Sequence, residues 1–127
     1  MAQHYRARIL VVDDFKPWRR YIRGLLEQRT DLLVVAEAAD GIEAIAKACE
    51  HQPDLVVLDI GLPRLNGIEA ARQIHQVAPP SKILFVSIER STEFIEEALN
   101  LGASDYIRKA EIGSKLLPAV DALCFRQ

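Results

Sequence analysis

The sequence predicts an open, doubly wound α/β sheet, because five apolar runs alternate with longer amphipathic stretches and turn residues stand at the joins. The runs are Ile9-Leu10-Val11-Val12, Leu32 to Ala36, Leu55-Val56-Val57-Leu58, Ile83-Leu84-Phe85-Val86 and the weaker Asp105-Tyr106-Ile107. They are rich in β-branched residues and largely apolar at successive positions, as parallel strands are when helices cover both faces. The chain has 127 residues and is 50% apolar, which suits one domain with a core that needs no metal or disulfide staple.

The first strand passes through Asp13-Asp14 into a helical stretch in which Phe15, Trp18, Ile22 and Leu25 recur at spacings of three and four. After the second strand, Asp40-Gly41 opens a helix carrying Ile42, Ile45 and Cys49, and Gln52-Pro53 separates it from the third strand. Leu65, Ile68, Ala71 and Ile74 then mark a third helix that ends before Pro79-Pro80. Ile95, Ala98 and Leu101 mark a fourth, with Gly102 as its stop, and Ile112, Leu116, Val120 and Leu123 mark a fifth. Right-handed crossovers give a parallel (βα)₅ sheet of strand order 2-1-3-4-5, the flavodoxin-like arrangement, whose ligand crevice lies at the carboxyl ends of strands one and three. No repeat, low-complexity segment or linker appears, so residues 1–127 are expected to form one domain.

Composition removes several classes of function. The 16 Lys plus Arg against 18 Asp plus Glu include no block of like charge suited to nucleic acid or an anionic membrane. Cys49 and Cys124 lie outside any CxxC or metal-ligand spacing, which favours free thiols in a reducing, cytoplasmic setting. No apolar run approaches the roughly 20 residues of a membrane span, and the start Met-Ala-Gln-His-Tyr-Arg lacks a signal-peptide core. His4, His51 and His75 are scattered without the mutual spacing that metal or acid–base work needs.

The chemistry-bearing residues gather at strand ends. The first strand runs into Asp13-Asp14, the third into Asp59 and the fourth into Ser87, while Lys109 follows the fifth. Three carboxylates in one crevice repel one another unless a cation offsets them, and an oxygen-only site with few protein ligands suits Mg²⁺. Phosphoryl transfer requires a positioned nucleophile and charge stabilisation. Asp59 fits the nucleophile, Lys109 a point charge on a phosphoryl oxygen, and the Ser87 hydroxyl a donor to another.

Val12-Asp13-Asp14, the stretch from Asp59 to Gly67 (DIGLPRLNG), Val86-Ser87 and the stretch from Leu101 to Lys109 (LGASDYIRK) together resemble the signature segments of response-regulator receiver domains. The resemblance spans nearly the whole chain. It implies that Asp14 ligates Mg²⁺ directly, that Asp13 acts largely through water, that Asp59 is both ligand and phosphorylation site, and that the Gly61 carbonyl completes the protein ligands. It also implies a switch pair, Ser87 and Tyr106, and a Lys109 that binds the phosphoryl group. The donor would be a sensor histidine kinase, phosphorylation can drive homodimerisation, and the surface of the fourth helix, fifth strand and fifth helix, with Phe94 and Tyr106, would meet the target. The Asp-Ile-Gly-Leu-Pro and Gly-Ala-Ser-Asp-Tyr stretches are most similar to receivers of the NarL/FixJ/LuxR type, which carry a helix-turn-helix output domain. No output domain is expected within 1–127, and no nucleic-acid binding by this chain.

Taken singly, Asp13-Asp14 also suits a helix cap, Ser87 a turn, Lys109 a solvated surface charge, and Tyr106 or Trp18 simple packing. The joint placement at four strand ends outweighs those readings. A haloacid-dehalogenase-type phosphatase would place a second Asp two residues after the nucleophile, where Gly61 stands, so the chain reads as a phosphoacceptor rather than a turnover enzyme. A flavin module would not place Asp13-Asp14 at its phosphate loop, and a phosphorylation-independent pseudo-receiver has no need of the full set. Two departures from the family pattern stand out: Ile88, beside Glu89, sets a bulky side chain at the mouth of the site and so would modulate access, and Ala110 follows Lys109 where proline is common, leaving the geometry of that peptide open.

Overall fold

The computed structural model describes residues 6–88, 96, 100 and 105–125. Its strands are β1 (Ala7–Val12), β2 (Leu32–Ala38), β3 (Leu55–Asp59), β4 (Lys82–Ser87) and β5 (Asp105–Arg108), and its helices are α1 (Lys16–Leu26), α2 (Gly41–His51), α3 (Gly67–Val77) and α4 (Ile112–Cys124), the last entered through a 3₁₀ turn at Lys109–Glu111. All strands pair in parallel in the order β2-β1-β3-β4-β5, as the alternation predicts. Of the predicted fourth helix, Ile95, Ala98, Leu101 and the Gly102 stop lie outside the described residues, as does Phe94, while Glu96 and Asn100 within it are helical.

Because side chains alternate across a strand, each apolar run feeds two cores. Ile9, Val11, Val57, Leu84, Val86 and Ile107 point to one face and pack with Ile22 and Leu26 of α1 and Ile112, Leu116 and Val120 of α4. Leu10, Val12, Val56, Leu58, Ile83 and Phe85 point to the other, against Ala44 and Ala48 of α2 and Ile68, Ala71 and Ile74 of α3. Burial on both sides is why these runs lack a polar face.

Local chemistry sets the helix ends. Asp40 caps α2, its carboxylate accepting from the Glu43 N–H at 2.8 Å while Glu43 accepts from the Ala39 N–H at 2.7 Å. Asn66 caps α3 by accepting from the Glu69 N–H at 3.0 Å. Gln52 ends α2 in the left-handed region, φ 46°, and its amide donates to the Val77 carbonyl at 2.9 Å, tying the ends of α2 and α3 together.

Four positions depart from the helical pattern. Phe15 is the residue before α1 and is 55% exposed rather than part of its apolar face. On α2 the buried stripe is Gly41, Ala44 and Ala48, while Ile42 and Cys49 are exposed. The helices approach too closely there for large residues: a Cβ on Gly41 would lie 2.2 Å from the Leu65 carbonyl oxygen. Leu65 itself precedes α3, which starts at Gly67.

Candidate functional site

Strand register assembles the site. Val12 pairs with Leu58, so the next residues, Asp13 and Asp59, stand side by side at the carboxyl edge of the sheet. Asp59 pairs with Val86, which places Ser87 one step beyond it, and Ser87 pairs with Arg108, which places Lys109 one step further. One carboxylate oxygen each from Asp13, Asp14 and Asp59 falls within 4.8 Å of the others. Asp13, Asp59, Ser87 and Lys109 are buried, whereas Asp14 is exposed.

Lys109 is shared between two carboxylates. Its ammonium lies 2.7 Å from Asp13 Oδ2 and 3.4 Å from Asp59 Oδ2. The other Asp13 oxygen accepts from the Phe15 N–H at 2.9 Å, and Asp59 Oδ1 accepts from the Gly61 N–H at 3.1 Å. Burial pushes the Asp59 carboxyl above the usual carboxylate range; Asp13 pushes the same way, and Lys109 and the Gly61 N–H oppose them. Asp13 does not cap α1, whose N-terminus has no side-chain cap, so its placement answers to Lys109 and the cluster.

Asp14, Asp59, Ile60, Gly61, Asn66, Ser87, Ile88 and Lys109 line one cleft of about 450 Å³. Ile88, 79% exposed, stands at its mouth and also borders a smaller groove with Arg108 and Ala110. Glu89 lies outside the described residues. No peptide bond among the described residues is cis, so Lys109–Ala110 is trans. Tyr106 does not line the cleft. It is half-buried against the Phe85 side of the core and borders a separate groove with Ser114, Lys115 and Pro118.

The sequence reading missed three contributors. Asn66 both caps α3 and lines the cleft. Arg19 donates to the Asp13 carbonyl at 2.8 Å and to Glu37 at 3.1 Å, fixing the turn that carries the acidic pair. Trp18, half-buried as packing predicts, also places its ring 5.1 Å from the Lys109 ammonium. The spacing of Trp18 and Arg19 from Asp14 carries no signal that α1 would turn them toward the strand ends.

Residues 9–121 match the family described as the response regulator receiver domain. The chain is 36% identical to the chemotaxis protein CheY of Bacillus subtilis over 114 residues, covering 90% of this chain and 94% of that protein. It is 42% identical over 103 residues to a protein-glutamate methylesterase/protein-glutamine glutaminase of Thermotoga maritima, but this covers 80% of the chain and spans only 30% of that relative's length. Among solved structures, a LuxR-family two-component response regulator from Aurantimonas sp. SI85-9A1 superposes with a TM-score of 0.87 at 40% identity, over 92% of this chain and 84% of that one. Motif, strand order and family match agree: the chain belongs to the receiver domains of two-component response regulators.

Proposed function

We propose that Asp59 accepts a phosphoryl group from the phosphohistidine of a sensor histidine kinase, and that the domain then shifts between two conformations that a target reads by differential binding. The observation that carries this reading is the Lys109 ammonium held between Asp13 and Asp59 at the floor of an open cleft. An Asp59 oxygen attacks phosphorus as the bond to the histidine nitrogen breaks, and the histidine leaves with the bonding pair. Lys109 and the Ser87 hydroxyl are placed to meet the phosphoryl oxygens.

The donor set suits a divalent cation. Three carboxylates and one ammonium leave a local formal charge of −2, all candidate donors are oxygen, and Asp14 opens to solvent as a partly hydrated ion needs. Asp13, Asp14, Asp59 and the Gly61 carbonyl would hold Mg²⁺, which supplies charge neutralisation to the phosphoryl oxygens when bound. Ser87 and Tyr106 form the switch pair in this reading, since Phe85 and Tyr106 are register neighbours and Ser87 follows two residues along β4. The target is an output domain or a separate partner, in the cytoplasm, with homodimerisation as a further consequence of phosphorylation. Among the described residues no helix is long and apolar enough to cross a membrane.

Intact-protein mass spectrometry after incubation with acetyl phosphate and Mg²⁺ tests the proposal. A single phosphoryl adduct, absent in Asp59→Ala and with EDTA, is expected. An adduct that survives Asp59→Ala would sink the assignment, and no adduct from acetyl phosphate or a panel of kinases would favour a phosphorylation-independent module.

A further inference from the structure

We infer that Trp18 is a positioning residue for Lys109: the indole face backs the ammonium at the place where it reaches both Asp13 and Asp59. The inference rests on the phosphoacceptor reading of Asp59. Lys109 Nζ sits over the Trp18 ring, 5.1 Å from its centroid, within the range of a cation–π attraction. The same ammonium is closer to Asp13, at 2.7 Å, than to Asp59, at 3.4 Å. A compact charge on a flexible four-carbon stem has many positions within reach, and a fixed wall packed beside it narrows them. The ring supplies a third, uncharged attraction that binds the cation without competing for a phosphoryl oxygen. It is a large flat wall beside a Lys that is only 8% exposed, and there the interaction is less screened than at the surface.

Trp18 is itself well fixed. It lies on the first turn of α1, packs against the core shared by α1 and α4, and meets Tyr21 edge-on with ring centroids 5.7 Å apart. The neighbouring Arg19 anchors the same turn to the Asp13 carbonyl at 2.8 Å. One turn of helix therefore sets the acidic pair and also the surface on which the lysine rests.

Because Trp18 is the chain's only tryptophan, all tryptophan emission comes from this side chain and responds to its surroundings, the Lys109 ammonium among them. Wild type, Trp18→Phe and Trp18→Met are compared for acetyl-phosphate labelling rate with thermal melting alongside, and tryptophan emission is recorded in wild type, Lys109→Met and Lys115→Met. Trp18→Met should label about tenfold more slowly than wild type, with Trp18→Phe retaining most of the rate because it keeps a π face. Emission should shift in Lys109→Met and stay unchanged in Lys115→Met, whose lysine is an exposed partner of Glu111. Equal labelling by all three proteins, slowing that follows melting temperature alone, or unchanged emission in Lys109→Met would each overturn the role. Should Trp18→Met fail to fold, the emission comparison decides, since it leaves Trp18 in place. Absence of labelling in wild type would sink the phosphoacceptor reading and this role with it, whereas full-rate labelling of both Trp18 variants would sink the role alone.

Discussion

Asp59 is caught between burial, which favours its neutral form, and the Lys109 ammonium, which favours its charge; burial is the larger influence. Its pKa is thus raised on folding, so the stability it contributes is fully present below the unfolded carboxylate value, about 3.9, and is lost as pH rises through the higher folded value. At neutral pH the ionised group is a net cost. Asp59→Asn should accordingly stabilise the metal-free protein by about 1 kcal/mol, or roughly 3–5 °C in melting temperature, with the gain shrinking as the pH falls toward 4; an unchanged or lower Tm at neutral pH would contradict this account of the site. Ile88 is the other residue with a direct test. Standing exposed at the cleft mouth, it should limit small phosphodonors and attacking water, so Ile88→Ala should raise acetyl-phosphate labelling and shorten the phosphoryl lifetime by roughly two- to fivefold. If neither rate moves, Ile88 is not a gate. Asp13, Asp14, Asp59, Ser87 and Lys109 were legible in the sequence because each sits at the end of a strand whose apolar run announces it. Trp18 and Arg19 were not, since their contacts depend on the angle at which α1 leaves the sheet.

At the level of elements, small residues decide how closely helices approach the strand ends. A Cβ on Gly67, at the start of α3, would fall 2.2 Å from the Asp59 carbonyl oxygen and 2.6 Å from Ile60 Cα. Backbone cannot yield as a side chain can, so Gly67→Ala should cost roughly 2–4 kcal/mol in chemical denaturation and displace the backbone at Asp59 and Ile60. Gly24 makes the opposite case: it lies in α1 with nothing within 4 Å of its Cβ position. Gly24→Ala should therefore stabilise by about 0.5–1 kcal/mol, because it removes unfolded-state entropy and improves helix propensity. A loss at Gly24 or a neutral result at Gly67 would contradict this reading of the packing. The same closeness explains the misread face of α2. Periodicity rewards large apolar side chains, so Ile42 and Cys49 stood out, yet the buried face is made of Gly41, tight against Leu65, and of Ala44 and Ala48 in the core. The strands, buried on both sides, left no such ambiguity, and their order followed from the rules of crossover connection.

Across the whole molecule, the two cores pack both faces of a sheet whose carboxyl edge gathers three carboxylates that one lysine only partly offsets. A ligand that binds only the folded state must then stabilise it, and Mg²⁺ at 100 times its dissociation constant should add about 2.7 kcal/mol. The gain should vanish with EDTA and be greatly reduced in Asp14→Ala; a melting temperature indifferent to Mg²⁺ would argue against the metal site. The chain matches 94% of the length of CheY but only 30% of that of the methylesterase, so among its relatives this domain occurs both nearly alone and as part of a longer protein. Everything proposed for the cleft turns on one atom group, the Asp59 carboxylate. Borohydride reduction of acetyl-phosphate-treated protein followed by peptide mapping tests it, since reduction of an aspartyl phosphate leaves homoserine at the modified position. Homoserine at position 59 alone is the predicted result; homoserine at 13 or 14, or none in protein that carries the phosphoryl adduct, would contradict the account.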